Sequence, residues 1–402
     1  MDTASSIPYA QDPDPAAAPA PGPPPSSIPL LAPWIVIGGA CITLGILWDI
    51  SWHSTIGRDT FWTPAHMVVY LGGTLGGLLA GWLAIEATFL RRAALRGISL
   101  DLFGARAPLG AWVCIWGAMA MLTSAPLDDW WHNAYGLDVK ILSPPHALLA
   151  MGMYGVVTGA VMLVAGQRNR AVAAGDPRRQ AGGWVVAANA VQLTLASVLL
   201  IELSFPNLQH TSTFAMASAA MYPGFLCASA RHAPMRWAAT RVALGYTLLL
   251  GFMVWVLPLF PAEPKLAPIF NRVTHMVPPA FPLLLIVPAF AIDLFFSLLK
   301  DREGLGWNLA RVAGVATLFV ALFLPVQWYF CQFLISPAAD NPFFAGYGRY
   351  FSYAGNLDYK GLLWRLQDRP LTPAAIGWAW VIALGSAYLG HGTGRFLSRL
   401  RR

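Results

Sequence analysis

The sequence has few charged residues, and its cysteines form no pair at a redox or metal-binding spacing. Only 11% of the 402 residues are Asp, Glu, Lys or Arg, whereas 56% are apolar. Repeated apolar runs of about 20 residues predict membrane-spanning helices and exclude an ordinary soluble domain. No C-x-x-C motif occurs, so neither a disulfide framework nor a thiolate metal site is indicated by the four single cysteines, Cys41, Cys114, Cys227 and Cys331.

The sequence also lacks a secretory signal and a nucleic-acid-binding stripe. Residues 1–28 are rich in Pro, Ala and Ser and have neither a basic start nor a small-residue cleavage site, which predicts a disordered tail. We therefore expect the first helix to serve as the membrane anchor. The net charge of +7 comes from Lys and Arg in short clusters between apolar runs, so no nucleic-acid partner is predicted.

The apolar runs predict an all-α, polytopic membrane bundle of about ten transmembrane helices. Basic clusters follow the even-numbered spans, so the positive-inside rule predicts a cytoplasmic N-terminus and C-terminus. Such a chain would cross a bacterial inner (plasma) membrane several times. We expect spans near 30–53, 64–90, 107–131, 144–166, 183–204, 211–230, 238–260, 276–299, 308–335 and 373–394.

Four segments are predicted along the chain. The disordered tail (1–28) precedes a core of repeated helix pairs (29–166) that carries the candidate metal ligands. Further membrane helices follow (167–300), and the last segment (301–402) holds two helices separated by a long aromatic outer loop. In the predicted topology, six of the eight histidines lie at the outer ends of spans: His53, His66, His132, His146, His210 and His275.

A carboxylate and two histidines flank the first outer turn. Asp49 and His53 are four residues apart and share one face of a helix. Pro64 fits the first turn of the next helix and places His66 in that turn. One carboxylate and two imidazoles suffice to bind a transition metal with open positions left, and copper, iron and zinc all remain candidates.

The same pattern recurs in the second helix pair, as Asp128, His132 and His146. In both copies Trp precedes the first His and Gly follows it by four residues. An ionisable group within a span costs roughly 2.5–3.5 kcal/mol on insertion scales, so two matched sets indicate a purpose. Solvation of polar groups at the lipid headgroups is the alternative. Further ligands or supporting groups are predicted among Asp59, Asp138, Glu202, His210, Asn271 and His275, although Asp59 beside Arg58 also suits a salt bridge or helix cap.

The stretch from Asp49 to His66 resembles the C subunit of the copper membrane monooxygenases, the particulate methane and ammonia monooxygenase family. The matching residues are Asp49, Ser51-Trp52-His53, Arg58-Asp59-Thr60 and Thr63-Pro64-x-His66. The resemblance implies that Asp49, His53 and His66 bind copper as the catalytic ligands. Asp128, His132 and His146 have the spacing of the family's second metal motif, with Asp128 in place of an amide.

The resemblance covers spans one to four and implies O2-dependent oxidation of a small apolar substrate near the outer membrane face. Other monooxygenase-type subunits and an electron donor would then be partners, since the chain shows no haem or flavin motif. Non-catalytic copper storage, delivery or transport is the alternative function.

Overall fold

The computed structural model describes residues 28–57, 60–136, 143–175, 182–233, 235–265, 273–346 and 369–401. The predicted all-α helical bundle is confirmed, and a helix lies at each of the ten predicted positions. Twelve helices are labelled: α1 Ile28–Thr55, α2 Pro64–Thr88, α3 Ala93–Arg96, α4 Leu109–Tyr135, α5 Pro144–Ala173, α6 Gly183–Val198, α7 Ser212–His232, α8 Ala238–Val256, α9 Ile286–Leu298, α10 Leu305–Leu318, α11 Leu324–Leu334 and α12 Pro373–Arg399.

Seven helical stretches are long and apolar enough to cross a membrane. They are α1, α2, α4, α5, α8 with the turn that follows it, the continuous stretch Leu305–Leu334, and α12. Large apolar side chains on them point away from the protein, among them Leu71, Leu122 and Phe252. The chain is therefore a multi-pass membrane protein whose outer apolar surface suits a lipid bilayer.

Two of the predicted spans are shorter than expected. Helix α6 ends at Val198 and a 3₁₀ turn, Glu202–Ser204, follows it. The span expected at 276–299 is helical only from Ile286. Pro278, Pro279 and Pro282 explain this late start, because proline donates no backbone hydrogen bond and keeps the preceding residue out of helical geometry.

Two departures from regular helix occur elsewhere. A small antiparallel hairpin, β1 Leu100–Leu102 with β2 Ala105–Ala107, follows α3 and was not predicted. Thr88 at the end of α2 holds this hairpin, since its hydroxyl accepts a hydrogen bond from the Arg106 N–H at 2.8 Å. Between α10 and α11 the helix widens into a π-helical turn, Phe319–Phe323, without interrupting the stretch Leu305–Leu334.

Antiparallel helix pairs are the building units, and glycines bring their backbones together. In the α1–α2 pair, a Cβ added at Gly38 would lie 2.9 Å from the Gly72 carbonyl oxygen. In the α4–α5 pair, one added at Gly117 would lie 2.7 Å from the Gly152 carbonyl oxygen. Such contacts allow the close helix crossings typical of membrane proteins.

The two pairs join through α2 against α4 and α1 against α5, forming a four-helix unit. Helices α6 to α12 pack beside this unit around buried Tyr222, Tyr246, Phe319 and Phe323. We call the end of the bundle where α1 and α4 finish and α2 and α5 begin the motif end. The opposite end holds the C-terminal ends of α7 and α12 and the turn between α9 and α10.

Candidate metal centre

The three predicted ligands of the first set approach one another at the motif end. Asp49 is buried on α1, and its Oδ1 lies 3.1 Å from His66 Nε2 on α2. The Asp49 Oδ2 lies 3.8 Å from His53 Nε2, one turn further along α1. The side chain of Asp49 is 12% exposed and that of His53 is 52% exposed. The set therefore has a buried carboxylate and one imidazole that solvent reaches.

Local sequence explains how His66 comes to face Asp49. Helix α1 ends at Thr55, and Gly57 follows with a φ of 103°, a left-handed conformation that glycine adopts without strain. Thr63 then stands at the N-cap position of α2 without a side-chain cap bond, Pro64 takes the first helical position, and His66 falls in the first turn. The hydroxyl of Thr63 accepts a hydrogen bond from the Thr60 N–H at 2.8 Å, which fixes the end of the connecting turn.

The second set has the same arrangement with a looser fit. Asp128 Oδ1 lies 3.7 Å from His132 Nε2 on the same helix and 3.6 Å from His146 Nε2 on α5. Gly136 ends α4 with a φ of 83°, and Ser143 caps α5 by accepting a hydrogen bond from the His146 N–H at 3.4 Å. The side chain of Asp128 is 32% exposed, so this set is more open than the first.

One carboxylate oxygen of each set is buried without a donor. Within the described ranges, no hydrogen-bond donor reaches Asp49 Oδ1 or Asp128 Oδ1 in hydrogen-bonding geometry, although His66 Nε2 is 3.1 Å from the first of them. A buried acceptor that lacks a donor costs about 1–3 kcal/mol. A cation bound in each set, between the carboxylate and the imidazoles, would give Asp49 Oδ1 and Asp128 Oδ1 the partner that they lack.

The donor spacing suits such a cation. Metal–nitrogen and metal–oxygen bonds of about 2 Å place two ligand atoms of one metal roughly 3–4 Å apart. The carboxylate–imidazole distances of 3.1–3.8 Å fall in this range. Nevertheless, no three His, Cys, Asp or Glu side chains in the described part of the chain already form a metal-holding group. Binding would therefore have to draw the two imidazoles of a set together around its carboxylate.

The two sets lie at one level on neighbouring helices. His66 and Gly73 are seven residues apart and so lie on nearly the same face of α2, as do Met121 and Asp128 on α4. A Cβ added at Gly73 would lie 2.8 Å from Met121 Cε, which shows that these faces meet. Both pairs span about 10 Å along their helices, so His66 and Asp128 lie at the same height on facing surfaces.

The remaining predicted residues lie in other segments of the chain or outside the described ranges. Glu202 is exposed in the 3₁₀ turn after α6. His275 is exposed, and its Nδ1 lies 2.9 Å from Thr274 Oγ1. Three candidates lie outside the described residues: Asp59, Asp138 and Asn271.

The segment that carries His275 packs on the far side of α1. The Val277 carbonyl accepts a hydrogen bond from the Ser51 hydroxyl, and the Val277 N–H donates to Thr55 Oγ1 at 2.8 Å. Ser51 is two residues after Asp49 and so lies about 200° around the helix from it. The structure therefore separates this segment from the face of α1 that carries Asp49.

His210 belongs to a different buried polar region. It is 4% exposed, and its ring lies edge-on to Trp328 of α11 at 6.0 Å between centroids. Burial lowers the pKa of His210 and favours its neutral form. The adjacent Gln209 accepts a hydrogen bond from Gln327 at 2.6 Å, and Gln327 accepts one from the Leu284 N–H at 3.0 Å. This network joins α11 to the extended segment before α9.

Sequence reasoning missed the residues that hold the two helix pairs together. Gly38 precedes Asp49 by eleven residues and Gly72 follows His66 by six. Gly117 and Gly152 have the same spacings in the second copy. The N-cap residues Thr63 and Ser143 also correspond, each three residues before the second histidine, although Thr63 makes no side-chain cap bond and Ser143 does. Comparing the two copies position by position, beyond the charged residues, would have revealed these matches.

Comparison with known proteins adds no further likeness: no protein-family model, no curated protein and no solved structure matches this chain.

Proposed function

We propose that this chain is a membrane metalloprotein that binds copper at the motif end of its bundle. The observation that carries the proposal is the pair of matched sets: in each, a buried carboxylate oxygen that has no hydrogen-bond donor among the described residues lies 3.1 Å or 3.6 Å from an imidazole nitrogen of the next helix. The choice of copper comes from the resemblance of Asp49–His66 to the C subunit of the copper membrane monooxygenases. The repeat of helix pairs is supported by the matching glycine spacings and by the positive φ of Gly57 and Gly136 after the first helix of each pair.

The proposed activity is O2-dependent oxidation of a small apolar substrate. Copper, when bound, would supply the redox chemistry and an open position for O2. Neutral His53 and His66 would hold it through Nε2, and the Asp49 carboxylate would compensate its charge. The burial of Asp49 keeps water from that carboxylate and so strengthens its electrostatic attraction for a cation.

The surroundings fit this chemistry. The outer surface of the helices is apolar, so an apolar substrate would arrive through the bilayer. The reaction requires an external electron donor. Other monooxygenase-type subunits would pass its electrons to the site. By the positive-inside rule, the motif end faces the periplasmic or outer side of a bacterial inner membrane, with both termini in the cytoplasm.

Metal analysis tests the proposal. Protein purified with copper should retain at least one equivalent, and the Asp49→Ala, His53→Ala, His66→Ala triple variant should lose it. A control replaces His275 by Ala, since its segment packs on the face of α1 opposite Asp49. Equal copper in the wild type and the triple variant would refute the ligand assignment. Electron paramagnetic resonance then distinguishes copper(II) from zinc or iron.

Copper storage, delivery or transport is a second candidate function, and the exposure of His53 favours it. That side chain is 52% exposed, so a metal ion could pass to a partner protein through a ligand that solvent reaches. This function predicts bound copper that an added chelator or acceptor protein removes within minutes, with no oxygen consumption when reductant is supplied. Oxygen consumption that is lost in Asp49→Ala would favour the first candidate function, O2-dependent oxidation of a substrate.

A further inference from the structure

A cationic cleft opens at the end of the bundle opposite the motif end. It lies between the C-terminal end of α7, the turn from α9 to α10 and the last turns of α12, and its volume is about 420 Å³. Five cationic side chains and a single carboxylate line it. We call it the arginine cleft and define it by Arg231, Lys300, Arg311, Arg395, Arg399 and Glu303.

Close packing of α7 on α12 brings the arginines together. A Cβ added at Gly394 would lie 2.7 Å from Arg231 Cβ and 3.0 Å from the Ala228 carbonyl oxygen. The absence of a side chain at Gly394 therefore lets Arg231 lie against α12 beside Arg395. Arg395 and Arg399 are four residues apart, so both project from one face of that helix into the cleft.

Arg311 forms the rigid wall of the cleft. It is 4% exposed, and its Nη2 donates to the Leu299 carbonyl at 2.7 Å and to the Arg302 carbonyl at 2.6 Å. Its Nη1 donates to Asn308 Oδ1 at 3.2 Å. These hydrogen bonds tie the α9–α10 turn to α10, and they place a buried positive charge beside the other arginines.

The cations of the cleft lack enough acidic partners. Arg231 lies within electrostatic range of Arg311 and Arg395, and Glu303 is the acidic group near it. In the described part of the chain, no carboxylate comes within 4.0 Å of Arg231, Arg395 or Arg399. Uncompensated charges held this close repel one another, so the arrangement favours an added anion.

Two buried groups reinforce this conclusion. Arg231 Nε is buried and finds no acceptor among the described residues. His391, one turn before Arg395 on α12, is 6% exposed, and neither ring nitrogen finds a hydrogen-bond partner within the described ranges. The positive-inside rule and the helix dipole explain why arginines gather at C-terminal helix ends. They do not explain a buried guanidinium N–H left without an acceptor.

We propose that the arginine cleft binds a phosphate group. Guanidinium groups match phosphate oxygens with paired N–H donors, and four of them line this cleft together with a lysine. A basic pocket between membrane helices at one end of a bundle is suited to the phosphate of a lipid headgroup. A soluble phosphate ester offers the same chemistry. This site is separate from the histidine sets and does not depend on metal binding.

The test measures thermal unfolding of the purified full-length chain in two arms. In the first arm, inorganic phosphate is titrated into protein in a neutral detergent, with sodium chloride at matched ionic strength as the blank. In the second, the protein is held in nanodiscs of phosphatidylcholine with or without phosphatidylglycerol. The Arg395→Gln, Arg399→Gln double variant replaces two exposed cleft residues, so it should fold normally. Arg236→Gln is the matched control, because Arg236 stacks on Trp237.

A rise in melting temperature with phosphate identifies a soluble phosphate as the ligand, and one with phosphatidylglycerol alone identifies a lipid headgroup. In either case the double variant should need about tenfold more ligand for the same rise, since it loses charge-assisted hydrogen bonds. Arg236→Gln should behave as the wild type. The proposal fails if neither ligand stabilises the wild type, or if the double variant responds as strongly as the wild type does.

Discussion

The two helix pairs at the motif end have the same pattern but differ in how tightly they hold it. In the α1–α2 pair the carboxylate side chain is 12% exposed and its closest imidazole nitrogen is 3.1 Å away. In the α4–α5 pair the carboxylate is 32% exposed and the closest nitrogen is 3.6 Å away. A carboxylate that is less exposed to solvent attracts a cation more strongly, and a shorter distance to its imidazole leaves less movement for binding. We therefore expect the α1–α2 pair to bind metal more strongly than the α4–α5 pair.

Backbone packing differs in the same direction. A Cβ added at Gly72 would overlap the Gly38 carbonyl oxygen and come within 2.8 Å of the Ile42 nitrogen, both of them backbone atoms. One added at Gly152 would lie 2.7 Å from the Gly117 carbonyl oxygen and 2.7 Å from the Met121 nitrogen. Both pairs are thus fixed by backbone contact, and the α1–α2 crossing is the closer of the two.

The two pairs should differ most in metal binding when the carboxylate of each, Asp49 or Asp128, is removed. Asp49→Ala should abolish metal binding at the first set, because the set loses its buried carboxylate. Asp128→Ala should weaken the second set by a smaller factor, since water reaches that carboxylate. Copper titration of both variants, monitored by metal analysis after dialysis, measures the difference. Equal losses would show that the exposure of the carboxylate does not decide affinity.

A smaller effect is expected from filling the glycine crossings. Gly72→Ala and Gly152→Ala should each destabilise the metal-free protein by about 1–3 kcal/mol, with Gly72→Ala the larger because its added Cβ would overlap the Gly38 carbonyl oxygen. Gly81→Ala in α2 is the control, since no described atom lies within 4 Å of its added Cβ. Unfolding by denaturant in mild detergent measures all three. Destabilisation by Gly81→Ala as large as that by Gly72→Ala would contradict the packing argument.

The hydroxyls of Thr63 and Ser143 should contribute less to the stability of the protein than the glycine crossings do. Ser143→Ala removes a cap bond to the His146 N–H, and Thr63→Ala removes the bond from the Thr60 N–H. Ser143→Ala should cost about 0.5–2 kcal/mol as the loss of a helix cap, and Thr63→Ala about 0.5–1.5 kcal/mol as the loss of one hydrogen bond in the connecting turn. The same unfolding assay applies, and Ser and Thr exchanged for one another serve as controls that keep the hydroxyl.

The smallest effect is expected for Asp128→Asn. The amide has the shape of the carboxylate at a site that is 32% exposed, so the stability of the metal-free protein should change by less than about 0.5 kcal/mol. Metal affinity should still fall, because the negative charge is lost. A large loss of stability instead would mean that this carboxylate has a structural role.

The helices were predictable because long apolar runs leave few alternatives, whereas the packing between them was not. Glycines such as Gly38 and Gly72 look alike within any apolar run, and only the folded chain shows which of them touch. The start of α9 at Ile286 was missed because hydropathy outweighed three prolines in the prediction. Spacing alone predicted that Asp49 and His66 would approach each other, since helical periodicity and a proline-started helix are local rules.

The arginine cleft was beyond sequence reasoning for a different reason. Its residues come from α7, from the α9–α10 turn and from α12, and they meet only through tertiary contacts. In the sequence the same arginines looked like ordinary cytoplasmic flanks of separate spans. Local patterns do not report that Gly394 lets Arg231 lie against α12.

The π-helical turn at Phe319–Phe323 has a consequence for everything that follows it in α11. A π turn accommodates one more residue than the α-helical turn it replaces, so all later side chains are rotated by about 100° about the axis. Gln327 owes its inward direction, and hence its bonds to Gln209 and the Leu284 N–H, to that extra residue. Were this turn to become regular α-helix with all its residues kept, Gln327 would rotate away from these partners and α11 would be uncoupled from the segment that leads into α9, whereas deleting one residue would restore an α-helical turn and keep Gln327 facing inward.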